Sequence, residues 1–251
     1  MKISIIIPIY NEILTIGTLL KKVAQTDLNE IEKEIILVDD HSSDGTIKYL
    51  NKLETDIKNG ALTYTYDKNK NLFIFIYKSK HEGKGSALKT GFKSSTGDVI
   101  IIQDSDMEYS SDFYPNLLDE VLHKNTKIVY GSRYQTESNY QPISIFYLWA
   151  NKIITFLFNL TSNQKITDLM TGFKVFRREI LDNIKLEENG FGFEPEFTIK
   201  ADRMGYKISE IPISYKGRTK DEGKKIKFKD FILILFCLVK YKTNLQSNPS
   251  L

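Results

Sequence analysis

The sequence contains a single cysteine, Cys237, among 251 residues, and only three histidines. One thiol cannot form an internal disulfide framework or a cysteine-rich zinc site. A chain without internal disulfides is compatible with a reducing compartment. His41, His81 and His123 show no metal-ligand spacing, and we predict that they are structural. The formal net charge is only +3, so the overall charge gives no indication of nucleic-acid binding.

A long uninterrupted apolar run is also missing. The segment 143–161 is interrupted by Asn151 and Lys152. The segment 230–241 has roughly ten apolar residues, where a membrane span needs about 20. Both are therefore predicted to be buried or interfacial helices. The N-terminal run in "MKISIIIPIYNE" is too short for a signal peptide, lacks a small-residue cleavage site, and is predicted to be the first strand.

Two common ligand-binding loops are incomplete. The segment "HEGKGSALKTG" (81–91) has no GxxxxGK[ST] pattern, and its GxGxxG pattern breaks at Leu88, which disfavours a dinucleotide-dependent oxidoreductase. The segment "DDHSSDGT" (39–46) begins like an EF-hand calcium loop, but Asn51 stands where that loop needs Glu. We interpret it instead as a turn in which Asp44 caps a helix. Asp40 would then accept hydrogen bonds from a base or ribose.

The first half of the chain alternates strand-like and helix-like segments. The strand-like segments are short, β-branched and often apolar on successive residues, as in a parallel sheet covered on both faces. They lie at 3–9, 34–40, 71–78, 98–104 and 127–132. This order predicts an α/β fold with an open, mostly parallel sheet and helices on both faces. Further along, we expect a helix leading to a strand at 207–215, then a basic cluster and an apolar helix.

Polar clusters follow four of the five predicted strands. They are "YNE" (10–12), "DDHSSDG" (39–45), "QDSDMEY" (103–109) and "GSR" (131–133). Ligands of open α/β sheets bind in the crevice at the carboxyl ends of the strands. We therefore predict that these clusters form one composite site.

The acidic cluster Asp104-Ser105-Asp106 is the centre of that predicted site. Two carboxylates one residue apart on a turn can converge on Mg²⁺ or Mn²⁺, which prefer oxygen ligands and commonly bridge them to substrate phosphates. A DxD pair also occurs by chance in acidic loops, so the pair alone is a weak signal. Its position after a buried strand favours the metal interpretation. Lys84, between two glycines, could approach a ligand closely because glycine permits near backbone contact.

Taken in order, these motifs resemble the family 2 nucleotide-sugar glycosyltransferases, which have the Rossmann-like GT-A fold. The resemblance rests on "PIYNE" (8–12), "VDDHSSDGT" (38–46), "GKGSA" (83–87) and "DSD" (104–106). Four further motifs are similar to dolichyl- and polyprenyl-phosphate mannosyl- and glucosyltransferases: "GSR" (131–133), "DLMTGF" (168–173), "GFEPE" (192–196) and "RTKDEGKKI" (218–226). The resemblance covers residues 1–229.

The resemblance implies a role for each matching position. The nucleotide-sugar-binding residues would be Pro8, Tyr10, Glu12, Asp40, Lys84, Asp104 and Ser105. The metal ligands would be Asp104, Asp106 and Glu108, although many mannosyl relatives carry Gln at the last position and the sequence leaves its metal role open. The acceptor and phosphate ligands would be Arg133, Arg218, Lys224 and Lys225, and the catalytic residues would be Asp106, Arg133 and Asp168.

The implied function is metal-dependent, inverting transfer of a hexose from a UDP- or GDP-sugar to a polyprenyl phosphate. Two alternatives remain open. In one, the acceptor is a glycan hydroxyl in surface polysaccharide synthesis, with Asp168 or Glu196 as the general base. In the other, the chain is a silent nucleotide-sugar-binding subunit, although the intact Asp104 and Asp106 argue against this.

We predict a glycosyltransferase domain over residues 1–215 and a basic, apolar C-terminal extension over 216–251. The basic stretch 216–229 followed by "FILILF" is typical of an amphipathic element that rests on anionic lipid. The expected location is peripheral, on the cytoplasmic face of the membrane. The expected partners are a nucleotide sugar, a polyprenyl phosphate, and a membrane surface or membrane protein, with no nucleic acid.

Overall fold

The computed structural model describes residues 1–61, 67, 70–124, 126–135, 140–141, 145–219, 223, 225 and 228–243. The first half contains β1 (Lys2–Ile9), α1 (Ile16–Gln25), β2 (Glu32–Asp39), α2 (Thr46–Lys58), β3 (Asn71–Tyr77), α3 (Lys84–Ser94), β4 (Val99–Ile102), α4 (Tyr114–His123) and β5 (Ile128–Ser132). The second half contains β6 (Tyr140–Gln141), α5 (Ile145–Leu160), β7 (Lys174–Arg177), α6 (Ile180–Asn183), α7 (Phe193–Arg203), β8 (Ile208–Pro212), β9 (Tyr215–Lys216) and α8 (Phe228–Thr243).

Seven strands form one sheet in the order β3-β2-β1-β4-β7-β5-β8. β1 pairs in parallel with β2 and β4, β2 pairs in parallel with β3, and β5 pairs in parallel with β8. Only β7 runs antiparallel to its neighbours β4 and β5. The mostly parallel α/β sheet predicted from the sequence is therefore confirmed.

All five strands predicted in the first half are present, with small differences at their ends. The difference at the end of 98–104 matters for the site, because β4 ends at Ile102 and leaves Gln103 and Asp104 in the following loop. The expected strand 207–215 is divided into β8 and β9. The helix α2 begins at Thr46 after Gly45, whose φ is 102°, and the Asp44 carboxylate accepts a hydrogen bond from the Thr46 N–H at 3.0 Å.

The core lies on both faces of the sheet because both faces are covered by helices. One face packs against α1, α2 and α4, and the other packs against α3, α6 and α7. In the buried run Ile5-Ile6-Ile7 on β1, Ile5 and Ile7 belong to the core cluster on one face of the sheet, and Ile6 belongs to the cluster on the other face. The unbroken apolar runs in the sequence thus have a direct structural cause.

A third core cluster joins α5 to α7 and α8, with Ile154, Phe158, Ile199, Ile234 and Leu238 at its centre. The outer faces of α5 and α8 are apolar but exposed. On α5 the exposed large side chains are Ile145, Phe146, Trp149, Ile153, Phe156, Leu157 and Leu160, and on α8 they are Ile232, Leu233, Phe236 and Val239. Among the described helices, none is both long and apolar enough to cross a membrane.

Candidate active site

A cavity of about 1020 Å³ lies at the carboxyl ends of β1, β2, β4 and β5. It is the place where the polar clusters were predicted to meet, and the structure brings them together there. Of the predicted site residues, the cavity is lined by Pro8, Tyr10, Glu12, Asp40, Lys84, Asp104, Ser105, Asp106, Glu108, Arg133, Arg218 and Lys225. Asp168 lies behind Arg133, and Lys224 lies outside the described residues.

Asp104 is held by Lys84 at the start of α3. The Lys84 Nζ lies 2.7 Å from Asp104 Oδ1 and 2.8 Å from Glu194 Oε1, so one ammonium bridges two carboxylates. Burial disfavours the charged lysine, but the Asp104 and Glu194 charges outweigh this and raise the pKa of Lys84. Gly172 makes room for the arrangement, because a Cβ at that position would overlap Asp104 Oδ2.

Asp106 and Glu108 lie on the same turn, next to Arg218. The Arg218 guanidinium is 3.4 Å from Asp106 Oδ2, and the Arg218 N–H donates to Glu108 Oε1 at 2.8 Å. Tyr215 donates its hydroxyl to the other Glu108 oxygen at 2.8 Å. Burial and the nearby Glu108 and Asp104 charges raise the pKa of Asp106 to about 7. Burial and the two neighbouring carboxylates therefore disfavour the ionised form of Asp106.

Glu12, in the loop after β1, forms ion pairs with two basic side chains from the C-terminal part of the chain. Arg218 approaches it with both terminal nitrogens, at 2.8 and 3.0 Å, and Lys225 also contacts it. Thr15 Oγ1 donates to the same carboxylate at 2.8 Å. Arg218 thus bridges Glu12 and Asp106, two of the acidic groups that the sequence assigned to the nucleotide sugar and the metal.

Asp40 organises the loop before α3. Its carboxylate accepts hydrogen bonds from the Glu82 and Gly83 N–H groups, the latter at 2.6 Å, and lies 2.8 Å from Lys78 Nζ. It also lies 2.7 Å from His81 Nδ1. The structure therefore shows Asp40 holding this loop in place, and its predicted contact with a base or ribose stays a prediction.

His81 lines the cavity, although its sequence context predicts a structural role. Its ring stacks on Tyr10 with 3.8 Å between the centroids, and both rings line the cavity. Nothing in the local sequence pairs Tyr10 with His81, because they lie on loops after different strands. Next to them, Ser105 Oγ donates to the Pro8 carbonyl at 2.9 Å, which ties the DxD turn to the end of β1.

Arg133 and Asp168 form a buried bidentate pair. Arg133 Nε donates to Asp168 Oδ2 and its terminal nitrogen donates to Oδ1, each at 2.6 Å. The Arg133 N–H also donates to Oδ2. Burial opposes the charge on Arg133, but Asp168 outweighs it and raises the arginine pKa. Because Asp168 is fully buried and both its oxygens accept from Arg133, the geometry favours a positioning role for this predicted catalytic residue.

The two glutamates at the start of α7 have different environments. Glu196 is fully buried and accepts hydrogen bonds from the Glu187 and Glu188 N–H groups at 2.7 and 2.8 Å, with Lys200 Nζ at 2.6 Å. It therefore holds the 187–188 loop. Glu194 instead lines the cavity and contacts Lys84. The spacing in "GFEPE" could not distinguish the two.

The carboxylates Asp104, Asp106 and Glu108 were predicted to hold Mg²⁺ or Mn²⁺. Within the described part of the chain, no group of three or more His, Cys, Asp or Glu side chains is arranged as a metal site. The donor set nevertheless fits such an ion, because it consists of carboxylate oxygens. Asp106 is buried beside the Glu108 and Asp104 carboxylates, which raises its pKa, and a nearby positive charge favours the ionised form of such a group. Glu108 has its oxygens on Tyr215 and Arg218, so Asp104 and Asp106 are the better placed pair.

Residues 4–185 match the model of the family "Glycosyl transferase family 2". The chain therefore belongs to this family, which confirms the resemblance drawn from the motifs and gives the class as glycosyltransferase.

Two of the similar curated proteins are named for sugar transfer to polyprenyl phosphates. A dolichol-phosphate mannosyltransferase of Pyrococcus furiosus is 27% identical over 89% of this chain, and an undecaprenyl-phosphate mannosyltransferase of Micrococcus luteus is 27% identical over 89%. The chain spans 59% of the length of the former and 87% of the latter.

Solved structures show the fold. Glucosyl-3-phosphoglycerate synthase from Mycobacterium tuberculosis, in complex with Mn²⁺, UDP and phosphoglyceric acid, has a TM-score of 0.67 and 19% identity. The match covers 96% of this chain and 78% of that one. The same enzyme with Mg²⁺ and UDP has a TM-score of 0.63, at 19% identity, with 96% and 79% coverage. These likenesses confirm the predicted GT-A fold.

Proposed function

We propose that the protein transfers a hexose from a nucleoside-diphosphate sugar to the phosphate of a polyprenyl phosphate, with inversion at the anomeric carbon. The observation that carries this proposal is the convergence of Asp104 and Asp106 with Lys84, Arg133 and Arg218 in one cavity. Carboxylates suit a divalent cation, and the basic side chains suit phosphates. The names of the two curated relatives support the choice of acceptor.

The donor would lie along the exits of β1, β2 and β4. Tyr10 and His81 offer aromatic surface for the base, and Lys84 and Arg218 offer positive charge for the diphosphate. Asp104 and Asp106 would hold Mg²⁺ or Mn²⁺, and such an ion stabilises negative charge on a leaving diphosphate. The chain's own basic groups add to that stabilisation because they are held in a partly enclosed cavity.

The environments of Asp168 and Glu196 favour a phosphate acceptor over a hydroxyl acceptor. A phosphate oxygen is already anionic and can attack without a strong general base, whereas a hydroxyl requires one. The two candidate bases are Asp168 and Glu196. Both oxygens of Asp168 accept hydrogen bonds from Arg133. Both oxygens of Glu196 accept hydrogen bonds from the backbone of the 187–188 loop, and Lys200 contacts one of them. Arg133, which contacts the cavity, would position the acceptor phosphate with help from Lys225.

We further propose that the exposed apolar faces of α5 and α8 rest on the cytoplasmic face of a membrane. Trp149 is 60% exposed and Phe236 is 65% exposed, and lysines such as Lys152, Lys229 and Lys240 lie on the same two helices. Apolar side chains flanked by lysine are typical of helices that lie in the interface of an anionic bilayer. This would bring the cavity, which Leu233 and Phe236 also line, to the lipid substrate.

The proposal is tested by incubating the purified protein with Mg²⁺ or Mn²⁺, GDP-mannose or UDP-glucose, and undecaprenyl phosphate in vesicles. We expect a lipid-linked hexose as the product. Transfer only to sugar-terminated lipids would support the glycan-hydroxyl alternative. Donor binding without transfer to any acceptor would support the silent subunit.

A further inference from the structure

Lys174, the first residue of β7, is a fully buried lysine that the proposed mechanism does not use. Its ammonium donates hydrogen bonds to the Leu169 carbonyl at 3.2 Å and to the Thr171 carbonyl. It also lies 4.2 Å from the centre of the Tyr130 ring. A lysine is almost never fully buried unless it is paired, and here its hydrogen-bond partners are the backbone carbonyls of one loop.

That loop, residues 168–172, contains neither helix nor strand, so its backbone groups find partners elsewhere. The Leu169 N–H donates to Thr155 Oγ1 at 3.2 Å, and the Gly172 N–H donates to the Tyr109 hydroxyl at 3.3 Å. A buried carbonyl without a donor is costly. Lys174 supplies the donor for two carbonyls of the loop at once.

The loop lies between two parts of the candidate active site. At one end, Asp168 forms the buried bidentate pair with Arg133. At the other end, Gly172 packs so closely against Asp104 that a Cβ would overlap the carboxylate. The carbonyls that Lys174 binds lie between these two ends. The ammonium therefore helps to fix the separation of Arg133 and Asp104.

The charge on Lys174 makes this support sensitive to pH. Burial lowers the pKa of Lys174 to about 8. The titratable and charged groups that act on it from the neighbouring elements are Tyr130, Lys84, Arg133, Asp168 and Glu194. The two carboxylates favour the ammonium, and the two basic groups disfavour it. A charged donor forms stronger hydrogen bonds than a neutral one, so the loop is held most firmly when Lys174 is protonated.

We propose that Lys174 is a positioning residue for the transfer reaction, because it holds the 168–172 loop so that Arg133 and Asp104 keep the separation that transfer requires. This inference rests on the proposed function, in which Arg133 positions the acceptor phosphate and Asp104 holds the cation at the donor. A misplacement of reacting groups by about 1 Å lowers a rate by about 100-fold.

Lys33, the second residue of β2, provides a matched control because it is a buried lysine of the same kind. It is 4% exposed, and its ammonium donates to the Val23, Ala24 and Thr26 carbonyls at 3.0, 2.8 and 2.6 Å. Burial lowers its pKa to about 8 as well. It lies at the end of the sheet opposite to the cavity. If both lysines only satisfied buried carbonyls, their substitution would have equivalent effects.

The test compares the wild type, Lys174→Met and Lys33→Met in transfer from GDP-mannose or UDP-glucose to undecaprenyl phosphate in vesicles, with Mn²⁺. Both substitutions should lower the melting temperature. Lys174→Met should also lower kcat by about 10- to 100-fold, with less than about a 3-fold change in the Kd of GDP or UDP measured by isothermal titration. Lys33→Met should keep the wild-type kcat at a temperature where it is folded.

The pH profile separates the charge from the packing of Lys174. The kcat of the wild type should fall as the pH rises above about 8, because the neutral amine binds the loop less strongly. Lys174→Arg stays protonated, so it should lack this fall and recover most of the activity that Lys174→Met loses. Lys33→Arg should show the same fall as the wild type.

The inference is overturned if Lys174→Met and Lys33→Met lower kcat equally, or if Lys174→Met weakens nucleotide binding as much as it lowers kcat. It is also overturned if the wild type shows no fall above about pH 8, or if a folded Lys174→Arg shows the same fall. If arginine does not fit and this variant does not fold, the two methionine variants decide. A wild type that transfers no hexose would instead refute the proposed function, and that result is seen before any variant is compared.

Discussion

The donor side of the cavity, at the exits of β1, β2 and β4, and the C-terminal side, which carries Arg218 and Lys225, are held in different ways. On the donor side, Asp40 is fixed by the backbone N–H groups of Glu82 and Gly83, and the DxD turn is fixed by Ser105 on Pro8. On the C-terminal side, Arg218 and Lys225 are held chiefly through the side chains that they contact, Glu12 and Asp106. The donor side is therefore held by hydrogen bonds to backbone groups, and the C-terminal side depends on charges that the donor side supplies.

The largest loss of stability is expected at the Arg133–Asp168 pair. This pair is buried, and it does not involve the carboxylates of the donor side. Asp168→Asn leaves the Arg133 guanidinium buried without its counter-charge, and we expect a loss of about 3–5 kcal/mol in the free energy of unfolding. Urea denaturation of the wild type and the variant measures this change in the free energy of unfolding. Asp119→Asn, in an exposed pair with His123, is the control and should cost less than about 1 kcal/mol. Equal losses of stability for the two substitutions would show that burial does not make the Arg133–Asp168 pair more important than the exposed pair.

Asp106→Asn removes charge from the donor side. We expect transfer activity to fall at least about 100-fold, because the site loses a carboxylate that the proposed chemistry requires. The stability of the protein should change in the opposite direction. The pKa of Asp106 is raised to about 7, so the folded state favours the protonated form, and the ionised form opposes folding.

Because ionised Asp106 opposes folding, its effect on stability depends on pH. Relative to Asp106→Asn, the wild type should lose stability as the pH rises from about 4 to about 7, between the unfolded and folded pKa values. Thermal melting of both proteins in the same buffers, without divalent ions, measures the difference. A constant difference across this range would show that folding does not raise the pKa of Asp106.

Gly172→Ala tests the space around Asp104. A Cβ there would overlap Asp104 Oδ2, so the carboxylate or the loop must move, at an expected cost of about 1–3 kcal/mol and with weaker donor binding. Gly190→Ala is the matched control for stability, because a Cβ at Gly190 would meet no atom within 4 Å among the described residues. Equal melting temperatures for the two variants would argue against the tight contact.

Glu12→Gln gives the most direct comparison of the two sides. The amide keeps its size but loses the charge that attracts Arg218 and Lys225, and we expect the interaction to weaken by about 1–3 kcal/mol. Trypsin should then cut more rapidly after these two residues. Glu54→Gln, which loses an exposed partner of Lys58, should leave that rate unchanged.

Much of the fold could be predicted from the sequence because the parallel strands are apolar on successive residues. β7 was missed, and its residue Lys174 shows why. Lys174 is fully buried, donates to the Leu169 and Thr171 carbonyls, and lies 4.2 Å above the Tyr130 ring. A lysine usually indicates an exposed position, and its carbonyl partners become visible only in the folded chain.

The candidate site was predictable to a different extent. The motifs named the cavity residues at the strand exits, because polar side chains after parallel strands meet at one edge, but they did not name Tyr147 of α5 or Leu233 and Phe236 of α8. Their pairing could not be predicted, since Arg218 reaches Glu12 across most of the chain. The different environments of Glu194 and Glu196 likewise depend on the loop at 187–188, which packs against only one of them.

The bridge from Arg218 to Glu12 and Asp106 has a thermodynamic consequence. A guanidinium that belongs to the chain is an intramolecular competitor, present at a fixed effective concentration that dilution cannot lower. It reduces the apparent affinity of these carboxylates for any dissolved cation on its own. A diphosphate gives the displaced arginine a new anion, so cation and nucleotide should bind with positive cooperativity, each strengthening the other by the same factor.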